Sequence, residues 1–159
     1  MRAVAMLAFS LLAVTSLSYS QGMPVNAVQS RINTLASDLR SNGIEQVEVL
    51  RIPPRVLTRT RVTPAMLERG YHYKLTIRDL RGGAYQPDLL AAVAATVVQP
   101  AEDMGDLRWG IIFFDTNGQR VASLYFDASG HRGAVDSTPV SFQGGIGEWL
   151  STNFSKAFR

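Results

Sequence analysis

Three residues of the chain have the side chains of a hydrolytic triad: Asp127, Ser129 and His131. In such a triad the histidine takes the proton of the serine hydroxyl while the carboxylate orients the imidazole ring. The three side chains therefore come from separate elements that bring them into line. Here they are crowded into a single short turn, where that alignment is not available. We interpret the group as part of a turn rather than as a catalytic site.

The same aspartate begins one copy of a repeat, Asp-x-x-Gly-x-Arg, found at residues 115–120 and 127–132. A calcium-binding EF-hand loop needs glycine at its sixth position and a glutamate that closes the loop with both carboxylate oxygens. In this chain glycine is at the fourth position and the closing glutamate is missing. Aspartate at the start of a turn caps backbone N–H groups, and glycine three residues later supplies a left-handed conformation. The repeat therefore predicts two tight turns between strands.

The sequence has few other residues that could bind a metal ion or act as a nucleophile. There is no cysteine, and His72 and His131 are the two histidines, so a metal site would have to be completed by carboxylates. The phosphate-binding Gly-Lys-Ser/Thr loop, the Gly-x-Ser-x-Gly elbow and the His-Glu-x-x-His helix do not occur. We predict no catalytic residues, no metal and no other cofactor, and we expect the protein not to be an enzyme.

Basic residues are concentrated in one part of the chain. Residues 51–81 carry eight basic and two acidic side chains, whereas residues 82–159 carry five basic and eight acidic ones. If residues 55–62 formed a strand beside residues 71–80, several cations would share one face, which would suit an anionic partner. An arginine-fringed edge strand or an extended loop is the alternative interpretation. The predicted partner-binding residues are Arg55, Arg59, Arg61, His72, Lys74 and Arg78.

The N-terminal segment has the pattern of a secretory signal peptide. A short basic start is followed by an uncharged, mostly apolar run over residues 3–17 and by small residues at Ser18 and Ser20. The run is shorter than the ~20 residues needed to span a bilayer. We predict cleavage near Ser20, export to the periplasm or the medium, and a mature chain without a membrane span. Residues 21–159 are expected to form a single α+β domain, a size that can bury a core without disulfides.

Periodicity predicts the elements of that domain. Helices are expected over residues 23–43, 64–69 and 87–99 and from Ile146 onward, and strands over residues 46–52, 71–80 and 140–142. Between them, residues of about 108–135 predict a three-stranded β-meander. The expected fold class is α+β, with a mainly antiparallel sheet on which helices pack, including the N-terminal and C-terminal ones.

Both faces of the meander are predicted to be apolar. One would carry Trp109, Ile111, Phe113, Val121, Tyr125 and Val135, and the other Ile112, Phe114, Ala122, Leu124, Phe126 and Ala134. A small antiparallel sheet usually keeps one polar face. Either the terminal helices cover both faces, which we favour, or an uncovered face forms a homodimer or another binding surface.

These patterns favour a small exported binding protein. We expect an inhibitor, an immunity-type protein or an envelope accessory protein that recognises an acidic protein or an anionic envelope polymer through its arginine-rich face. Nucleic acid is not expected, because the protein is predicted to be exported and shows no exposed aromatics for base stacking there. The alternative is a small-ligand-binding protein or hydrolase, with Tyr73, His72, Asp127 or His131 converging on a pocket between sheet and helices.

Overall fold

The computed structural model describes residues 25–154, so the predicted signal peptide lies outside the described residues. Within this range the chain forms helices α1 (Val25–Arg40), α2 (Pro64–Gly70), α3 (Gln86–Ala94) and α4 (Ile146–Phe154). The strands are β1 (Ile44–Arg51), β2 (Tyr73–Ile77), β3 (Val97–Pro100), β4 (Leu107–Asp115), β5 (Arg120–Asp127), β6 (Arg132–Val135) and β7 (Thr138–Gln143). Pro64 begins α2 immediately after Thr63, whose side chain accepts a hydrogen bond from the N–H of Met66. None of the four helices is long and apolar enough to cross a bilayer.

The seven strands form one antiparallel sheet in the order β2-β1-β4-β5-β6-β7-β3. The predicted α+β class is confirmed, and so is the meander over β4, β5 and β6. β7 continues the meander as a further neighbouring strand. The predicted helix over residues 87–99 ends earlier, at Ala94, because residues 97–100 pair with β7 as β3.

Elements pack on both sides of the sheet. Helices α1, α3 and α4 contribute to the larger core on one side, where Ile111, Phe113 and Phe126 are fully buried. On the other side, α2 and the segment before it enclose a smaller core, with Leu67, Leu107 and Tyr125 at its centre. Both faces of the meander are therefore covered in its central part. The terminal helices α1 and α4 pack on the larger core alone, because α2 closes the smaller one.

The faces of β5 differ from the prediction. Simple hairpin pairing would place Tyr125 opposite Trp109, on the same side of the sheet. In the structure Phe114 pairs with Arg120 but Phe113 pairs with Ala122, so Val121 is an extra residue between the two pairs. Such a bulge moves the rest of the strand by one position and exchanges its faces. Ala122, Leu124 and Phe126 consequently lie on the Trp109 side, and Tyr125 lies on the other.

Residues 55–62 form a loop rather than a strand. In the described sheet β2 is an end strand whose neighbour is β1, so the conditional pairing of residues 55–62 with residues 71–80 does not occur. Pro53 and Pro54 end the preceding strand because neither can donate a ladder hydrogen bond. The extended-loop alternative is the one that the structure adopts.

Candidate functional site

The segment 53–62, which we call the arginine loop, is fixed to the sheet at both ends. The N–H of Ile52 donates to the carbonyl of Arg108 at 2.9 Å. At the other end, the N–H of Val62 donates to the carboxylate of Asp106 at 2.8 Å, and its carbonyl accepts from the N–H of Leu107. The loop thus projects from a firm base, since Ile52 before it and Val62 at its end are both buried.

A side chain of the sheet also holds the middle of the loop. The guanidinium of Arg108, which is largely buried, donates to the carbonyl of Val56 at 2.9 Å and to Asp106 at 3.0 Å. Val56 packs on the smaller core, whereas its neighbour Leu57 is exposed. The backbone before the tip is therefore held in place although the tip itself lies in solvent.

Leu57 is the most exposed large apolar side chain among the described residues, with 95% of its surface accessible. Arg55 and Arg59 lie on either side of it in the sequence and are also exposed. Neither arginine forms an ion pair with any residue in the range 25–154. The tip of the arginine loop therefore combines an unburied leucine with two unneutralised positive charges.

Acidic residues neutralise the base of the loop but not its tip. Arg61 forms an ion pair with Asp103 at 3.2 Å, and Arg132 approaches the same carboxylate at 3.8 Å. A hydrogen bond from the N–H of Gly105, helped by Arg61, lowers the pKa of Asp103. Because this carboxylate stays charged, the positive potential of the loop is concentrated at Arg55 and Arg59.

The other predicted partner-binding residues lie along β2 and do not join the loop in one continuous face. His72 is next to β1, where its N–H donates to the carbonyl of Arg51. Lys74 is paired with Glu48 at 2.7 Å, so its charge is offset. Arg78 follows the far end of β2, which is about 16 Å long. The structure thus divides the six residues between a loop and an edge strand.

The repeated aspartates cap turns, in agreement with the sequence analysis. Asp115 accepts hydrogen bonds from the N–H groups of Asn117 and Gln119, each at 2.8 Å. The backbone N–H of Asn117 and Gln119 lowers the pKa of Asp115, with Gln119 contributing most. Gly118 has a φ of 72°, the left-handed conformation that the pattern predicts.

The second turn shows why Ser129 and His131 are not arranged as a triad. The hydroxyl of Ser129 donates directly to the carboxylate of Asp127 at 2.8 Å. The backbone N–H groups of Ser129 and His131 donate to the same oxygen. The carboxylate therefore organises the turn, while the hydrogen bond that catalysis requires would run from serine to imidazole.

A cleft of about 180 Å³ lies beside this turn, at the beginning of α4. Ser129, His131, Glu148 and Ser151 contribute polar side chains to it. Typical small-molecule sites are ~300–1,000 Å³. The cleft has room for a small ion or a few waters, and neither His72 nor Tyr73 lines it. No group of three or more His, Asp or Glu side chains suited to a metal occurs in residues 25–154.

Glu68, Arg120 and Tyr125 form a polar cluster that is not predicted from the sequence. Both nitrogens at the end of the Arg120 side chain donate to the Glu68 carboxylate, at 2.8 and 3.1 Å. The phenol of Tyr125 donates to the same carboxylate and accepts from Arg120. No local motif signals this cluster, because Glu68 on α2 is 57 residues from Tyr125 on β5.

The cluster has a defined electrostatic character. The hydrogen bond from Arg120 lowers the pKa of Glu68, so this carboxylate is ionised at neutral pH. Burial, with a further contribution from Glu68, raises the pKa of Tyr125 to about 12. The tyrosine is therefore a neutral hydrogen-bond donor that helps to join α2 to the sheet.

A cation–π contact occurs at Arg51, whose guanidinium lies 4.3 Å from the centre of the Trp109 ring.

Comparison of the chain with protein-family models, curated proteins and solved structures gives no match. What the protein binds is therefore inferred from the chemistry of its described surface.

Proposed function

We propose that this chain is an exported binding protein, of an inhibitor or immunity type, that uses the arginine loop to recognise an acidic protein. The observation that carries the proposal is the tip of the loop. There Leu57 is 95% exposed between Arg55 and Arg59, although the base of the loop is held by the sheet. Because the base of the loop is already held in place, little conformational freedom would be lost when a partner covers Leu57.

The magnitudes favour a protein partner over a membrane surface. Burial of a leucine side chain contributes about 1.5–3 kcal/mol, and each arginine near an anionic membrane adds about 1 kcal/mol. The sum, roughly 3.5–5 kcal/mol, corresponds to a dissociation constant between a few millimolar and a few tenths of a millimolar. A protein can add a fitted apolar pocket for Leu57 and paired carboxylates for Arg55 and Arg59, which make stronger, two-pronged hydrogen bonds.

The same comparison separates an acidic protein from an anionic envelope polymer. A polymer would neutralise the arginines but offers no preformed apolar pocket for Leu57. In the proposed mechanism the two arginines steer the encounter, and the leucine then docks. Replacement of the arginines should therefore slow association, whereas replacement of Leu57 should speed dissociation.

Photo-crosslinking tests this function directly. A benzophenone amino acid would replace Leu57 in the producing organism, and adducts would be identified by mass spectrometry. The matched control has the same group at Asn117, an exposed turn residue between β4 and β5. We expect an adduct with an acidic protein at position 57 only, and we expect Arg55→Gln/Arg59→Gln to lower its yield about tenfold or more. Equal labelling from both positions, or an adduct whose yield is unchanged without the arginines, would contradict the proposal.

Export belongs to the proposal as well and has its own test. The intact mass of the protein recovered from the periplasm or medium should correspond to a chain that begins near Gln21. Recovery of the full-length chain in the cytoplasm would contradict this part of the proposal and leave the chemistry of the loop unaffected.

A small-ligand site is the second candidate, because polar groups converge on the cleft beside His131. Its size favours a small ion over an organic substrate. If such a site exists, His131→Ala should abolish the chemical-shift changes that a titrated ion causes at Gly130 and Gly147. The described contacts give no comparable support to a homodimer through the sheet faces.

A further inference from the structure

The main chain at the tip of the arginine loop is free to pair with another protein. Within residues 25–154, no group hydrogen-bonds to the main-chain N–H or C=O of residues 57–61, and all five residues are exposed. An exposed, unpaired main chain can join the sheet of a partner as one more strand. Endopeptidases hold the chain that they cleave in this way, and a pocket takes the side chain that precedes the scissile bond. The tip therefore has the main-chain groups that such an enzyme recognises.

The peptide bond between Leu57 and Thr58 is the best placed for cleavage in this loop. The side chains on both sides of the bond are exposed, and the chain neither turns nor bends at these two residues. Leu57, with 95% of its surface accessible, is the residue that would enter the pocket. The pocket of a chymotrypsin-like enzyme is an apolar slot, which accepts a side chain of this kind.

The arginines of the loop are less well placed. Arg55 is in a tight turn that is closed by a hydrogen bond of 2.9 Å from the N–H of Val56. The chain bends at Arg59, and Arg61 is followed by the buried Val62. An enzyme with an acidic pocket for arginine would therefore have to distort the loop, whereas an enzyme with an apolar pocket could bind it as it stands.

Both sides of the candidate bond are held to the sheet. Before it, Val56 packs on the smaller core, and its carbonyl accepts from the buried guanidinium of Arg108 at 2.9 Å. After it, the N–H of Val62 donates to Asp106 at 2.8 Å, and the carbonyl of Val62 accepts from Leu107. Cleavage would leave each new end within a few residues of a fixed point. An amine held beside the acyl group can re-form the peptide bond at little cost in entropy.

We propose that the arginine loop binds in the active site of a serine endopeptidase with an apolar pocket for Leu57, and that the chain inhibits this enzyme. The serine hydroxyl would attack the carbonyl carbon of Leu57, and its proton would pass through the histidine to the departing amine of Thr58. Because that amine stays in place, it can attack the acyl-enzyme, give its proton back through the histidine to the serine oxygen and re-form the bond. The inference rests on the proposed function, in which the loop binds an acidic protein, and it names the class of that protein.

Inhibition constants against three enzymes test the inference. Chymotrypsin and subtilisin have apolar pockets, whereas the pocket of trypsin contains an aspartate and takes a cation. We expect competitive inhibition of chymotrypsin or subtilisin, and we expect Leu57→Ala to weaken it about tenfold or more, because the pocket loses its apolar occupant. The matched control is Val97→Ala, which shortens an exposed apolar side chain on β3 and should leave inhibition unchanged.

A change of specificity gives a result that a misfolded variant cannot imitate. Leu57→Arg should inhibit trypsin about tenfold or more tightly than the parent does, and chymotrypsin more weakly. Mass spectrometry of the parent incubated with the inhibited enzyme should show cleavage only between Leu57 and Thr58, and intact chain should persist. Inhibition of neither chymotrypsin nor subtilisin, equal inhibition by Leu57→Ala and the parent, or rapid and complete cleavage of the loop would overturn the inference.

Photo-crosslinking separates this inference from the function on which it rests. An arginine-dependent adduct of position 57 with an acidic protein that is not an endopeptidase would overturn the inference and support the proposed function. An adduct with an endopeptidase that does not depend on the arginines, together with inhibition through Leu57, would support the inference and contradict recognition by the arginines.

Discussion

Tyr125 links the smaller core to a charged cluster at the scale of single residues. Its ring is buried between the sheet and α2, while its hydroxyl lies between Glu68 and Arg120. Burial disfavours the charged phenolate, and so does Glu68, because a phenolate has no proton to donate to that carboxylate; the pKa of Tyr125 therefore rises to about 12. The cluster should therefore stabilise the attachment of α2 in a way that depends on pH.

Tyr125→Phe should lower the free energy of unfolding by about 1–3 kcal/mol at neutral pH, because it removes the hydrogen bonds of the hydroxyl with Glu68 and Arg120 and keeps the ring. In the folded protein the pKa of the phenol is raised from 10.0 to about 12, so the folded state holds its proton more tightly than the unfolded state. Its contribution is complete below pH 10 and is lost as the pH rises toward 12. Urea unfolding of both proteins across this range measures the difference, which should shrink with pH. A constant difference would contradict the raised pKa.

Glu68 should have the opposite dependence on pH. Because the hydrogen bond from Arg120 lowers its pKa below the ordinary value of 4.5, its contribution is present above pH 4.5 and is lost as the pH falls through the lowered pKa. Glu68→Gln should therefore destabilise the protein at pH 7 and become equivalent to the parent in acid. Chemical unfolding at pH 7 and at successively lower pH values tests this; a difference that grows in acid would contradict it.

At the scale of elements, β6 fits between its neighbours only because residue 133 is glycine. A Cβ built at Gly133 would lie 1.7 Å from the carbonyl oxygen of Tyr125, which belongs to the backbone of β5. β5 could not yield without breaking its own pairing with β4. The close approach of these two strands therefore depends on a single absent methyl group.

Gly133→Ala should consequently destabilise the protein by roughly 3 kcal/mol or more, or prevent folding. The matched control is Gly70→Ala at the end of α2, where an added Cβ meets no atom within 4 Å. That change should be neutral or stabilise by up to about 1 kcal/mol. Thermal unfolding of the two variants makes the comparison, and similar melting temperatures would contradict the packing described for β6.

The elements that the sequence predicts well are those with strong local patterns. Alternation and paired Asp-x-x-Gly turns place β4, β5 and β6, and the spacing of Val28, Ile32, Leu35 and Leu39 places α1. The side of the sheet on which each β5 residue lies could not be predicted, because the bulge at Val121 has no local signature in the sequence. β3 escapes it because its pairing with β7 overrides the tendency to continue a helix.

At the scale of the whole molecule, the proposed function depends on tertiary contacts, and less of it can be predicted from the sequence. The cluster of basic residues in one segment can be recognised in the sequence. The sequence does not reveal which of these basic residues stay unneutralised. Asp103, which pairs with Arg61, is 42 residues away from it, and Glu48, which pairs with Lys74, is on a different strand. The exposure of Leu57 likewise depends on how α2 and Arg108 hold the loop. Tertiary contacts thus select two of the six predicted residues, Arg55 and Arg59, for the tip.

The salt dependence of association with the crosslinked partner tests the central claim most directly. Arg55→Gln/Arg59→Gln would be compared with Arg40→Gln/Arg81→Gln, which removes the same charge near the opposite end of β1. We predict that the loop variant binds about ten- to a hundredfold more weakly and loses most of the dependence of the association rate on salt, while the control behaves like the parent. Equal binding and equal salt dependence of the two variants would contradict the proposal that the arginine loop recognises an acidic partner.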